Sequence, residues 1–342
     1  MSKQLEDRIE ILDTTKLRTS DYESLEKTLE EYLRMKRENY PEIAVIGVPG
    51  PVQENTIMTL TNIPHWKNVN GNYLGKKLGI KYFLFLNDFA CNSYGIQTKL
   101  KLDEDYIIIN EGKKEEDGAK AIIGPGTGLG MGYLVKNKND KYYRIGNSEG
   151  GHQNFSRKNK KYYELAEFIK KEYNLQYVTI ENICSGQGMV PIYKFLLEKE
   201  KEITNINDID RDKNLGEKID EFIDYRNKKV RDELSNEITQ KGVKGECKLS
   251  RKVIEFFIEI LADAAGDLSL ITIPSNGIYL LGGISVAIEP FIKQNKKIFM
   301  DSFINRDHSF LLKSFPIYLI KNPNIGMIGA SEAARRIIEN QE

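Results

Sequence analysis

Short apolar runs alternate with amphipathic stretches along the chain. Runs rich in branched and aromatic residues at 43–48, 82–86, 106–109, 121–123, 278–281 and 317–320 read as buried strands. Leu25, Leu29, Tyr32 and Leu33 share one face of a helix, with Ser20 and Glu23 forming a capping box ahead of it. Residues 253–261 read as an apolar helix partly wrapped in core. Strands that alternate with helices predict an α/β fold with ligands at the C-terminal ends of the strands. No internal repeat of fixed period is visible. One segment breaks the rhythm, at about 198–248, where Lys, Asp, Glu and Asn dominate. Within it Leu215, Ile219, Phe222 and Ile223 follow helical spacing. That predicts a charged amphipathic helix, either solvated and folded onto its own domain or presenting a partner-docking face.

Length and charge narrow the classes. At 342 residues there is room for two domains. Fifty basic and fifty acidic residues cancel, so no general attraction to nucleic acid or membrane is expected. No apolar run approaches the roughly 20 residues that span a bilayer. The polar start, Met-Ser-Lys-Gln-Leu-Glu-Asp-Arg, does not read as a secretory signal or transit peptide. Cys91, Cys184 and Cys247 lie far apart without metal spacing, which points to a reducing compartment, with Cys91 and Cys184 as small core residues. A cytoplasmic globular protein is the expectation.

The candidate chemistry is concentrated in a few polar motifs. Gly124-Pro125-Gly126-Thr127-Gly128-Leu129-Gly130 follows the apolar run 121–123. A Gly-Thr-Gly turn after a strand exposes backbone N–H groups and admits a polyanion, although such turns also serve as plain connections. Downstream, Glu149-Gly150-Gly151-His152 and Glu181 offer groups that bind hydroxyls, and Glu181 precedes Ser185-Gly186-Gln187-Gly188, read as another tight turn. His152 has no His or Cys at metal-ligand spacing. Asn87-Asp88 ends the strand at 82–86, where a carboxylate accepts the proton of a hydroxyl attacking a phosphoryl group, or simply caps the next helix. Gly282-Gly283 leaves room for a flat base or ribose, or for close helix–strand packing.

Together these residues resemble the bacterial-type glucokinase family, within the hexokinase/sugar-kinase, hsp70 and actin superfamily. The motifs occur in family order: Leu86-Asn87-Asp88-Phe89, the glycine loop at 124–130, Glu149-Gly150-Gly151-His152, Glu181 with Ser185-Gly186, and Leu281-Gly282-Gly283-Ile284. Thr61-Asn62-Ile63-Pro64-His65-Trp66 and Asn324-Ile325-Gly326-Met327-Ile328-Gly329-Ala330 also look like family segments. The resemblance implies a two-domain actin-like ATPase (ribonuclease H-like) fold. Residues 1–98, completed by 323–342, would be a small α/β domain, and 99–322 a larger one carrying the charged segment. It implies a kinase that closes over glucose and ATP with Mg²⁺. Asp88 would act as general base, with Asn87, Glu149, His152 and Glu181 on sugar hydroxyls. Gly124, Gly126, Thr127 and Gly128 would hold phosphates, and Gly282 and Gly283 would lie beside adenosine. The related ROK kinases carry a cysteine cluster after Glu-x-Gly-His, whereas here no cysteine follows Gln153 before Cys184. Homodimers are common in the family, and the charged segment is a second place for a protein partner.

One family feature has no counterpart. The Asp-x-Gly-Gly-Thr turn and its two flanking strands are absent, and residues 5–12 match the family's third strand. The expectation is therefore an N-terminal sheet lacking its first two strands. Two functions follow: an ATP-dependent glucokinase, or a non-catalytic structural or sugar-sensing protein that keeps the kinase fold.

Overall fold

The computed structural model describes residues 2–4, 9–36, 40–58, 60, 66–146, 148–204, 209–222 and 227–339. The segment 61–65, the residue Ile223, and part of the 5–12 stretch lie outside the described residues. The chain divides into two compact units, Met1–Leu100 with Asn324–Glu342, and Lys101–Pro323.

In the first unit β1 (Ser2–Gln4) and β2 (Ile9–Ile11) form an antiparallel pair. Helix α1 (Leu25–Met35) follows, then β3 (Ile43–Val48). The short strands β4 (Val52–Gln53), β5 (Thr56–Ile57) and β6 (Val69–Asn70) make a separate antiparallel sheet. Helix α2 (Gly71–Leu78) leads to β7 (Tyr82–Asn87), which pairs in parallel with β3 from Ile43↔Tyr82 to Val48↔Asn87. Among the described residues β1 and β2 do not join β3, so the N-terminal strands form their own hairpin and not the edge of that sheet. Helix α3 (Asp88–Gly95) and the last helix, α12 (Ile325–Glu339), complete the unit.

The start of α1 departs from the sequence reading. Ser24 is the N-cap, accepting from the Lys27 N–H at 3.2 Å, whereas Ser20 lies in a 3₁₀ turn at Thr19–Asp21 and donates to Asp21. Ser24 wins because the extended backbone needed at an N-cap falls there, at φ −152° and ψ 160°. The apolar stripe read from the sequence still faces inward through Leu25 and Leu33.

The second unit is built on a six-stranded mixed sheet ordered β11-β10-β9-β12-β13-β8. Its strands are β8 (Tyr106–Asn110), β9 (Lys120–Pro125), β10 (Leu129–Val135), β11 (Arg144–Gly146), β12 (Gly277–Leu280) and β13 (Ile317–Ile320). β12 runs parallel to both β9 and β13, while β10 and β8 run antiparallel to their neighbours. Parallel neighbours require crossover helices. These are drawn from α4 (Lys160–Glu172), α5 (Gly186–Ile203), α6 (Lys213–Glu221), α7 (Lys228–Lys244), α8 (Lys248–Thr272), α9 (Gly283–Gln294), α10 (Lys296–Phe303) and α11 (Ser309–Ser314). The apolar stretch at 253–261 is the middle of the 25-residue α8, whose Phe256, Phe257 and Leu261 are buried in the main core. In the charged segment, Leu215 and Ile219 of α6 and Phe222 just after it are buried in the same core, so this stripe stabilises its own unit.

Candidate active site

The carboxylate read as a base stands at the start of a helix in the first unit. β7 ends on Asn87 and α3 begins with Asp88. Asn87 is the cap: its Oδ1 accepts from the N–H of Phe89 at 2.9 Å and of Ala90 at 3.3 Å. Its Nδ2 donates to the Gly50 carbonyl at 3.3 Å, tying the Pro49-Gly50-Pro51 loop to the strand end. The capping job weighed for Asp88 is thus done mainly by its neighbour. Asp88 keeps one bond to protein, Oδ1 accepting from Phe89 N–H at 2.9 Å, and Oδ2 makes none among the described residues. Partial desolvation raises the Asp88 carboxyl pKa, against the lowering effect of the Phe89 N–H. One turn further, burial and the charge of Asp88 push the Cys91 thiol up to about 12, so it is no nucleophile at neutral pH.

The second unit gathers the remaining motifs around one hairpin. β9 and β10 are joined by the turn Gly126-Thr127-Gly128, closed by Gly126 N–H donating to the Gly128 carbonyl at 2.8 Å. β10 was not read from the sequence, because Leu129-Gly130-Met131-Gly132 dilutes its apolar pattern with glycine. The start of α5 braces this turn from one side. Gly186 N–H donates to the Gly126 carbonyl at 2.8 Å, and Gln187 Nε2 to the Thr127 carbonyl at 3.4 Å. Ser185-Gly186-Gln187-Gly188 is therefore a helix start and not a separate tight turn. Ser185 is the N-cap, its Oγ accepting from Gln187 N–H at 3.1 Å while donating to the Glu181 carbonyl at 2.6 Å.

The start of α9 approaches the same hairpin. Gly282 takes φ +92°, and a Cβ there would stand 2.5 Å from the Pro125 carbonyl oxygen, so close packing accounts for this glycine. Gly283 differs, because a Cβ on it would meet nothing within 4 Å, and the same holds at Gly126. Thr127 is exposed at the tip. The first N–H groups of α9 have no intrahelical acceptor and carry the positive end of the helix dipole. Ser285 Oγ in its first turn is fully buried with no hydrogen-bond partner among the described residues. Open backbone at Gly126 fits a polyphosphate, and open backbone at Gly283 beside a helix start leaves room for the rest of a nucleotide.

The hydroxyl-binding candidates flank the hairpin's β10 end. Gly150–His152 forms a 3₁₀ turn, with His152 Nε2 3.8 Å from Glu149 Oε2 and both side chains exposed. Glu181 N–H donates to the Gly151 carbonyl at 2.9 Å, lacing this turn to the segment ahead of α5. Half-buried Glu181 also reaches the hairpin, its Oε2 accepting from Leu129 N–H at 2.9 Å. Thus Gly124, Gly126, Thr127, Gly128, Glu149, His152, Glu181, Gly282 and Gly283 share the second unit, while Asn87 and Asp88 adjoin in the first. The roles of Gly186 and Gln187 in bracing the turn were not legible, since their partners, Gly126 and Thr127, lie about sixty positions earlier in the chain.

The chain is similar over most of its length to known proteins. The sequence pattern of the family described as Glucokinase matches residues 2–337. The chain is 31% identical over 324 residues to a glucokinase of Trichormus variabilis, covering 93% of this chain and 90% of that protein. It is 32% identical over 295 residues to a glucokinase of Synechocystis, covering 85% of this chain and 78% of the relative. Among solved structures, a glucokinase from an Antarctic psychrotroph superposes with a TM-score of 0.72 at 23% identity, over 96% of this chain and 91% of the other. Glucokinase from Balamuthia mandrillaris, solved in complex with glucose, gives a TM-score of 0.69 at 20% identity, over 91% and 83% of the two chains. The structural neighbours share the two-domain actin-like ATPase fold. With the family pattern matching from residue 2 to residue 337 and a 31% identical relative covered almost end to end, this chain belongs to the glucokinase family.

Proposed function

We propose that this chain transfers the terminal phosphoryl group of ATP to the 6-hydroxyl of glucose, with Asp88 as general base. The observation that carries the reading is the hairpin turn Gly126-Thr127-Gly128, open to solvent at Gly126 and tied to Glu181 through the adjoining Leu129 N–H. A phosphate-binding turn next to a hydroxyl-binding carboxylate is what a sugar kinase requires. The family and the named relatives favour this catalytic reading over a non-catalytic one.

Each residue's part follows from its chemistry. Asp88, with Oδ2 unbonded, takes the proton from the attacking hydroxyl. Asn87 orients that carboxylate by fixing the start of α3, and we assign it a sugar hydroxyl as well through the amide it directs at Gly50. Glu149, His152 and Glu181 bind other hydroxyls. Gly124, Gly126, Thr127 and Gly128 hold phosphate oxygens, and Gly282 and Gly283 lie beside the adenosine. When bound, ATP supplies the phosphoryl group, and Mg²⁺, which we assign to the nucleotide and to no residue of this chain, offsets its charge. The functional division we propose puts the base in residues 1–98 with 323–342, and the nucleotide and most sugar contacts in 99–322. We place the reaction in the cytoplasm, where its three buried free cysteines stay reduced. A homodimer, and a protein partner on the charged outer side of 198–248, complete the proposal, and sedimentation velocity tests the first.

The deciding experiment is coupled glucose phosphorylation beside Asp88→Asn. A general base contributes about 10²–10⁴-fold, so kcat should fall by that factor while glucose affinity stays within about threefold of the parent. Equal turnover in the two proteins would remove Asp88 from the mechanism.

A further inference from the structure

Glu181 makes contacts that a sugar ligand alone does not need. Its Oε2 accepts the N–H of Leu129, the residue that leaves the phosphate turn and opens β10, at 2.9 Å. A Cβ on Gly128 would stand 2.5 Å from that same oxygen and 3.7 Å from Oε1, so the carboxylate meets the end of the turn with Oε2 foremost and Oε1 turned away. Oε1 makes no hydrogen bond among the described residues, and the carboxylate is half-buried. The residue's backbone is held just as firmly, its N–H by the Gly151 carbonyl at 2.9 Å and its carbonyl by Ser185 Oγ at 2.6 Å.

We propose that Glu181 is a positioning residue for the phosphate turn, with its two oxygens divided between nucleotide and sugar. Oε2 fixes the Leu129 N–H and so sets where the Gly126-Thr127-Gly128 turn stands, while Oε1 is left for a sugar hydroxyl. The inference rests on the kinase reading above and deepens it, because it gives a sugar-side residue a duty toward ATP. The physical reason is charge-assisted bonding: a carboxylate holds a backbone N–H more strongly than a neutral acceptor does. Without it the Leu129 N–H loses its acceptor, and the turn, though still closed by Gly126 and braced by Gly186 and Gln187, loses its anchor on the β10 side.

The test reads nucleotide binding with no sugar present, a quantity that a pure sugar ligand would not move. A nonhydrolysable ATP analogue with Mg²⁺ is titrated calorimetrically into the full chain and its variants. Glu181→Ala should weaken the analogue about tenfold and abolish glucose binding. Glu181→Gln keeps an oxygen for the Leu129 N–H but not its charge, so the analogue should weaken less than in Glu181→Ala while glucose weakens as well. Parental analogue affinity in a folded Glu181→Ala would overturn the proposal. Should Glu181→Ala not fold, Gly128→Ala makes the converse test, because its methyl displaces the carboxylate. Glucose affinity without nucleotide should then fall several-fold, and an unchanged value would overturn the proposal. Turnover of the parent in the same preparation reports separately on the kinase reading, since its absence leaves the analogue titration interpretable.

Discussion

The raised pKa of Asp88 governs both activity and stability, with opposite signs. As a base it works only when ionised, and desolvation holds its carboxyl above the ordinary aspartate value of about 3.9. The acidic limb of kcat/KM for glucose should therefore lie above that value and vanish in Asp88→Asn, and a limb at the ordinary aspartate pKa would contradict the desolvation. The linkage runs the other way for folding. A carboxyl whose pKa is raised on folding binds its proton more tightly folded than unfolded, so stability falls as pH climbs from the unfolded pKa through the folded one. Above that window the cost persists, and Asp88→Asn should melt at a higher temperature than the parent at pH 7. Calorimetry showing a lower melting temperature would mean that the Phe89 N–H outweighs burial. At this scale the sequence was only partly legible. Asn87 and Asp88 were readable as a strand end, but which of the two caps α3 depends on backbone angles that neighbours in the chain do not set.

Elements are held in place by close approaches that local patterns describe unevenly. α3 carries Asp88 at its first residue and packs along α12, where a Cβ on Gly329 would stand 1.7 Å from the Cys91 carbonyl oxygen. Gly95 meets the Ile325 carbonyl oxygen at 2.3 Å in the same way. Both obstacles are backbone, so they cannot swing aside as a flexible side chain would. Gly329→Ala should force the helices apart, cost about 1–3 kcal/mol in urea unfolding, and lower kcat by displacing Asp88. Parental kcat with only the stability loss would show that the base tolerates movement of its helix. The strands at 43–48 and 317–320 were legible to the residue because each is an unbroken run of apolar residues bounded by polar or proline positions. β10 and α7 were missed for opposite reasons, one diluted by glycine and the other so charged that its inward Leu234 and Ile238 are hard to see. The antiparallel pairing of β2 with β1 was missed too, since three-residue strands carry too little pattern to specify a partner.

Across the whole molecule, apolar burial is divided very unequally, and stability should follow it. Among the described residues the second unit's core holds 51 buried hydrophobic residues and the first unit's holds 11. Composition and periodicity announced an α/β chain long enough for two domains, yet gave no measure of this imbalance, because the long-range packing of α5, α7 and α8 decides it. The first unit's main sheet compounds the difference: β3 and β7 are its two strands among the described residues, so each leaves an edge without a strand partner. A sheet of two strands over a small core opens at lower free energy than a six-stranded sheet backed by a 25-residue helix. Hydrogen exchange followed by mass spectrometry should therefore find amides of β3, β7 and α2 exchanging well before those of β9, β12 and α8. The difference should persist at low denaturant, where local openings dominate, and disappear as global unfolding takes over. Equal protection in both units under native conditions would mean that they unfold as one cooperative body, and that core size does not set the order in which this chain opens.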